Sequence, residues 1–424
     1  MNEVARSNGS ERASRPAAMD APVPLREAVA KFRIGDTMRQ WCFQCIGPRL
    51  RAVILTGSMA RNEATWQETE KGVEFFSDAE FIVIAKSRHE VPSAEMVTLI
   101  CSGAEEELRN RGVWCKLSIG AVPESFLRNL GDTIFGHELL TCGEVLYGDP
   151  NILLNETRDT SPHVSEEDAW RLLANRMIEL LEMVPELADA RATLSEATQY
   201  RLTKLYCDMA TSILVFKGQF VAGYQARAET LALLHERGLL LDLPFEADWL
   251  VAMVQRCTEY KIEHSWNGPS PFVKAEAAQA AIAAVRALWA WELARMHGVA
   301  ASEPDVLLRL HMQKQKMTDR LRGWAFVARR RGVPDSLRHG WRWLRLSRLA
   351  SPRYCVYAAG LELLSSLEFQ GSGGSQVENG KSKIETILDW LPIGEPFARP
   401  APDVKDVAET ILWNYREFLV ETRA

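Results

Sequence analysis

Cysteine is sparse and scattered: eight residues in 424 form none of the dense, regular spacings that staple small secreted folds, so a reducing cytoplasm is the expected compartment. The lone C-x-x-C, Cys42 and Cys45, falls in a predicted helix with no second Cys or His pair nearby at zinc spacing, and it reads as core packing. Long apolar runs are missing as well. Arg286 breaks the alanine-rich stretch from Ala275 to Trp291, and nowhere does the chain offer the roughly 20 uninterrupted apolar residues that span a bilayer. An excess of positive charge is also absent, because a formal net charge of -6 excludes a protein that coats nucleic acid or anionic membrane over its whole surface. The eight histidines are dispersed, and no P-loop, H-E-x-x-H or G-x-S-x-G is present, which removes the commonest phosphate-loop, zinc-protease and hydrolase-elbow readings.

What remains is an ordinary globular composition, 47% apolar and 25% charged, long enough for roughly two or three domains. Residues 1–22 carry Arg6, Arg12 and Arg15 among Ser, Ala and Pro with no apolar core behind them, so a disordered leader is expected there. From Pro24 to Ile46 apolar residues recur at helical intervals, interrupted by Gly35. Strands are expected at Arg51 to Thr56, Glu80 to Ala85 and Val113 to Val122, with a helix or loop from Met59 to Thr69 and a helix from Ser93 to Arg111. This alternation predicts an α+β chain whose first domain, 23–150, is built on a small mixed sheet and ends at Tyr147-Gly148-Asp149-Pro150.

Beyond Ser165 the pattern is helical. Ser165 and Asp168 form a capping-box-like start, and further helices are expected near Ala197 to Lys217, Ala226 to Arg237, Phe245 to Glu263, Ala275 to Met296 and Val404 to Val420. We expect a helical bundle over 151–300 and a helical, partly basic region over 301–424, with a flexible Gly/Ser loop at 371–383.

Asp78 and Glu80 lie two apart at the start of a strand, so the pleat puts both carboxylates on one face, a pair able to hold magnesium or to be merely solvated. Gly57-Ser58 ends the preceding strand, where a small side chain and free backbone amides allow a phosphate close. With Leu55-Thr56-Gly57-Ser58-Met59-Ala60-Arg61-Asn62-Glu63 and Ser77-Asp78-Ala79-Glu80-Phe81, the chain resembles the DNA polymerase beta-like nucleotidyltransferase superfamily, and within it the bacterial stand-alone branch of antibiotic nucleotidyltransferase-like proteins. The resemblance is specific over Ala52 to Ala85 and looser through Leu146-Tyr147-Gly148-Asp149.

That resemblance implies an enzyme that moves a nucleoside monophosphate from a nucleoside triphosphate to an unidentified hydroxyl acceptor with Mg2+ or Mn2+. Asp78 and Glu80 would hold the metal, and Gly57, Ser58, Arg61 and Lys204 would contact the nucleotide. Lys204 has a second reading as half of an i, i+4 ion pair with Asp208. The sequence departs from the family at its third carboxylate, where the strand Val113 to Val122 offers Lys116 and Ser118. Glu124, just past that strand, is the candidate general base if its loop folds back. Without such a base the chain would be a nucleotide-binding regulatory protein that retains the fold.

A separate signal lies at Arg309 to Arg353, with thirteen Lys and Arg against Asp319 and Asp335, interleaved with Trp324, Phe326, Trp341 and Trp343. This face suits nucleic acid or an RNA-modifying role, or it is an amphipathic helix with buried aromatics and solvated arginines. The second reading predicts Trp324 and Trp341 buried and Arg329, Arg330 and Arg331 facing solvent.

Overall fold

A computed structural model of the chain describes residues 25–130, 132–155, 163–186, 193–262, 270–300, 302–368, 380–393 and 403–419. The architecture is α+β, with two small sheets in the N-terminal part and helices thereafter. The described residues divide into two compact units, the first made of residues up to Leu130 with Glu138–Arg158 and Ala222–Ala226, the second of the remainder. The leader at 1–22 and the Gly/Ser loop at 371–379 lie outside the described residues.

In the first unit the elements run α1 (Leu25–Ile46), β1 (Leu50–Thr56), α2 (Gly57–Ala60), β2 (Trp66–Thr69), β3 (Gly72–Phe75), β4 (Ala79–Ala85), α3 (Ala94–Asn110), β5 (Val113–Trp114), β6 (Leu117–Pro123), the part of α4 (Ile134–Cys142) from Glu138 on, β7 (Glu144–Tyr147) and α5 (Ile152–Asn155). The main sheet has the order β6-β4-β1-β7, with β4 antiparallel to β1, β1 antiparallel to β7 and β4 parallel to β6. A smaller sheet, β2-β3-β5, fills the stretch expected to be helix or loop and takes Val113 and Trp114 from the single strand expected there.

Both faces of the main sheet are covered, and the alternation along the strands assigns each residue to one of them. Val53, Leu55, Ala79, Phe81, Val83 and Leu117 face α1 and α3, which answer with Ala30, Ile34, Met38, Cys42 and Ile46 and with Ile100, Ala104 and Leu108, all spaced by one helical turn. Ala52, Ile54, Ile82 and Ile84 face a second core with Leu127, Leu130, Leu139, Ile152 and Leu153. Gly35 does not interrupt α1, which is continuous. Close packing of α1 on α3 depends on Gly103, where a Cβ would fall 2.3 Å from the Trp41 ring, while Trp41 Nε1 donates to Glu107 at 2.9 Å.

The second unit holds α6 (Glu166–Glu179), α7 (Glu196–Phe216), most of α8 (Tyr224–Glu236), α9 (Ala247–Ile262), α10 (Ala275–His297), α11 (Pro304–Lys314), α12 (Met317–Leu349), α13 (Pro352–Glu368), α14 (Gly380–Trp390) and α15 (Val404–Leu419). Residues 380–383, expected to close the flexible loop, form the first turn of α14. Trp170 anchors the interior, stacked on Trp289 at 5.1 Å and on Tyr354 at 5.3 Å between centroids. The expected capping box at Ser165 does not form, since the Ser165 side chain makes no cap and Asp168 Oδ2 accepts from the Ile134 N–H at 2.8 Å. α12 kinks at Gly332, whose φ of 76° is outside the helical region, two residues before Pro334. Among the described residues no helix is long and apolar enough to cross a membrane.

Candidate functional site

β1 runs into the Gly57-Ser58 turn, and because β4 returns antiparallel with Thr56 opposite Glu80, the turn and the start of β4 share one end of the sheet. Along β4, Ala79, Phe81 and Val83 enter the first core while Ile82 and Ile84 enter the second. Glu80 points to the second face, but at the strand's first turn, ahead of the apolar cover, and its side chain is exposed. Asp78 precedes the strand with its side chain 43% exposed. Gly57 has φ of 69°, and a Cβ built there would lie 2.4 Å from Glu80 Oε2, so the carboxylate rests directly against the backbone of the turn. Two requirements for glycine therefore coincide at one residue, the left-handed backbone and the room for an acidic side chain.

The partner of β4 on its other side fixes the third position. β6 is parallel to β4 and in register, with Glu80 beside Ser118 and the Ala79 N–H donating to Lys116 O at 2.9 Å. Residues side by side in a parallel pair share a face, so of Lys116 and Ser118 it is Ser118 that stands beside Glu80. Lys116 Nζ lies 3.8 Å from Asp78 Oδ2 with its side chain 75% exposed. Glu124 is not gathered to this end. It begins a 3-10 turn after β6, pairs with Arg51 Nε at 2.7 Å, and stands six residues past Ser118, about 20 Å along the strand at about 3.3 Å per residue. The loop does not fold back, because Arg51 at the opposite end of β1 holds the carboxylate there.

Arg61 is buried rather than presented to solvent. Its Nε donates to Glu63 at 3.0 Å and its Nη1 to Glu138 at 2.8 Å, and its guanidinium carbon sits 5.2 Å from the centre of the Tyr224 ring. Burial alone would lower the guanidinium pKa, but Glu138, Tyr224 and Glu63 outweigh it and hold the group above its ordinary value. Glu63 Oε1 also accepts from the Gln225 N–H at 3.2 Å. This clamp gathers chain segments 77 and 162 residues apart, a role the sequence signals only through the Arg61-Asn62-Glu63 spacing.

The chain matches no family model, no curated protein and no solved structure.

Lys204 lies on α7 in the second unit, its Nζ 5.5 Å from the centre of the Tyr200 ring. Its alternative partner Asp208 is buried and engaged elsewhere, 2.6 Å from Arg176 Nη2. Asn175 Oδ1 accepts from the Tyr357 hydroxyl at 2.6 Å, and the buried Arg227 donates to Val221 O at 2.9 Å and Thr211 Oγ1 at 3.0 Å. Cys42 is buried in α1, where desolvation pushes its thiol up to about 12, and Cys45 is half-buried. Among the described residues no three or more His, Cys, Asp or Glu side chains are placed together to hold a metal ion.

In the basic segment Trp324 and Trp343 are buried, their indole N–H groups donating to Ala350 O at 2.8 Å and Pro392 O at 2.7 Å. Trp341 is 86% exposed, against the expectation of burial. Two residues advance a helix by about 200°, so Trp341 and Trp343 cannot share a face, and Trp343 takes the inner one. Arg329 is exposed, whereas Arg331 is half-buried, 3.3 Å from Asp335 and 5.1 Å from the Trp413 ring centre.

Proposed function

We propose that the Gly57-Ser58 turn with Asp78 and Glu80 is a nucleotide site of the nucleotidyltransferase type. There the acceptor hydroxyl oxygen bonds to the α-phosphorus of a nucleoside triphosphate, the bond to the bridging oxygen breaks and pyrophosphate leaves. The observation that carries this reading is the close seat of Glu80 against Gly57, which brings the two halves of the motif to one sheet end. Two hard oxygen donors suit a single Mg2+ or Mn2+ whose other ligands are triphosphate oxygens and water, so Asp78 and Glu80 would hold it. Such an ion supplies charge neutralisation at the transferred phosphoryl group. Gly57 and Ser58 would meet the β- and γ-phosphates, and the exposed Lys116 would exchange Asp78 for a phosphate oxygen.

Ser118 beside Glu80 supplies no base, so the hydroxyl proton leaves to substrate phosphate or water and transfer is slow. The same residue favours a second reading, a nucleotide-binding regulatory protein without turnover. The exposed Trp341, with Arg338 and Arg345 within about one turn on either side, supports a nucleic-acid contact on that helix, for which steeply salt-dependent oligonucleotide binding is the check.

The deciding experiment incubates the protein with α-labelled nucleoside triphosphates and Mg2+ or Mn2+, with and without cell extract, and follows label into product and onto protein. Metal-dependent binding lost in Asp78→Asn/Glu80→Gln supports the site, and labelled product in the wild type separates transferase from binder. Equal metal-dependent binding in the double variant removes the assignment.

A further inference from the structure

Within the second unit, α6, α11, α12 and α13 enclose a cleft of about 540 Å³. Its charge is opposite to that of the chain. Arg171, Lys314, Lys316, Arg322 and Arg353 line it against only Glu167 and Asp319, in a protein whose formal net charge is -6. One side is apolar, formed by Phe326, which is 38% exposed, with Val327 and Pro352. Gly323 lets α12 and α13 close on one another, since a Cβ there would fall 2.8 Å from Pro352 Cδ.

Lys314, His297 and His311 form a run of hydrogen bonds along the floor of the cleft, and His311 sits beside Glu167. Lys314 Nζ lies 3.1 Å from His297 Nδ1, and an ammonium group only donates, so His297 accepts at Nδ1 and carries its proton on Nε2. That nitrogen is 3.1 Å from His311 Nδ1, and His311 Nε2 lies 3.2 Å from Glu167 Oε2. Glu167 Oε1 accepts from Arg171 Nε at 3.0 Å and from the Tyr354 hydroxyl. Burial, with His311 and Lys314 beside it, holds the His297 imidazole below its ordinary pKa, and Glu167 Oε1 is engaged by donors from within the floor. Its charge is answered by Arg171, so the acid does not cancel the cations at the mouth. Among the described residues neither Lys316 nor Arg322 has an ion-pair partner, and both are exposed at the rim.

We propose that this cleft binds a small organic anion, a carboxylate or phosphate carried on an apolar, ring-bearing body. The anionic group meets Lys316 and Arg322, and the ring lies against Phe326 and Pro352. Excess positive potential in a partly enclosed cleft draws anions, and a cation rim beside an apolar wall selects those with a hydrophobic body over hydrated inorganic ions. The inference is independent of the nucleotide site, because every residue it uses belongs to the second unit.

The test titrates the full chain with 8-anilinonaphthalene-1-sulfonate, an aryl anion that brightens in apolar surroundings, and then displaces it with phenyl phosphate, benzoate or inorganic phosphate. We expect one saturable site, weakened about tenfold or more in Lys316→Glu/Arg322→Glu by loss and reversal of charge-assisted contacts. We also expect weakening in Phe326→Ala and no change in Asp78→Asn/Glu80→Gln. Both rim residues are exposed, so the charge variant keeps the fold, and an unchanged thermal transition verifies it. Displacement by phenyl phosphate alone identifies a phosphoryl ligand, and displacement by benzoate alone a carboxylate. Unaltered probe affinity in both the rim and the Phe326 variants, or displacement by inorganic phosphate as strong as by the aryl anions, overturns the proposal.

Discussion

Glu292 offers a test of the second unit's interior that needs no ligand. It is fully buried on α10, where the Ser212 hydroxyl donates to Oε1 at 2.5 Å and, among the described residues, Oε2 has no hydrogen-bond partner. Burial pushes the carboxyl up to about 8, with Ser212 pulling it down and Glu166 adding to the rise. The folded state therefore keeps a proton that the unfolded chain releases above its ordinary value of 4.5. A raised acid stabilises fully below the unfolded value, and that contribution is lost as pH rises through the folded value. Between 4.5 and about 8 the loss reaches about 5 kcal/mol, undiminished by solvent because the group is buried. Glu292→Gln removes the titration and keeps the shape, at a cost of about 1–2 kcal/mol for one more unsatisfied N–H. At pH 5.5, where wild type has already lost about 1.4 kcal/mol, we expect the two to be nearly equal in stability, and at pH 8.5 the variant to be more stable by about 3 kcal/mol. Chemical denaturation followed by far-UV circular dichroism at both pH values gives the difference. Other raised acids such as Glu27, pushed up to about 7, occur in both proteins and cancel. A wild-type-to-variant difference that does not move between the two pH values would refute the buried proton.

Gly57→Ala places a methyl group 2.4 Å from Glu80 Oε2 at a φ of 69°, so we expect about 1–3 kcal/mol of destabilisation and weaker metal-nucleotide binding, with unchanged melting and affinity as the contrary result. Ser118→Asp adds a carboxylate beside Glu80, and if absence of a base limits transfer, labelled-nucleotide turnover rises by about 10²- to 10⁴-fold; no rise, with binding intact, favours the regulatory reading. Trp343→Ala should cost about 3–5 kcal/mol in urea denaturation and Trp341→Ala less than about 0.5 kcal/mol, and equal costs would contradict their opposite burial.

The parts of the fold legible in the sequence are those whose periodicity is set by a core. β1 and β4 show as short apolar runs because both their faces are covered, and α1 and α3 show because one stripe of each meets the sheet. The β2-β3 hairpin was hidden, since Glu68, Glu70, Lys71 and Glu74 interrupt any alternation at a small sheet that buries little. Val113 to Val122 looked like one strand because nothing local marks where Trp114 leaves the smaller sheet and Leu117 joins the larger. Trp341 was misplaced because the kink at Gly332 resets the helical phase established by Trp324 and Val327, so counting turns across it assigns the wrong face.

At the candidate site, adjacency along one strand was legible and adjacency between strands was not. The spacing of Asp78 and Glu80 along one segment is read directly from the sequence, whereas Gly57 meets Glu80 only because β1 and β4 pair with Thr56 opposite Glu80. A shift of one residue in β6 would bring Leu117 or Ile119 to Glu80 in place of Ser118, and both of those side chains are needed by the opposite core. The hydrophobic pattern thus fixes the register, and the register in turn fixes a hydroxyl beside Glu80. Glu124 is kept away by the same reasoning, since it follows the far end of β6, a parallel neighbour that runs the length of β4, and pairs there with Arg51. If this end of the sheet carries out the proposed transfer, its proton acceptor comes from the substrate, from water or from residues outside β6, and comparing the pH dependence of any labelled-nucleotide turnover in wild type and Ser118→Asp measures which one operates.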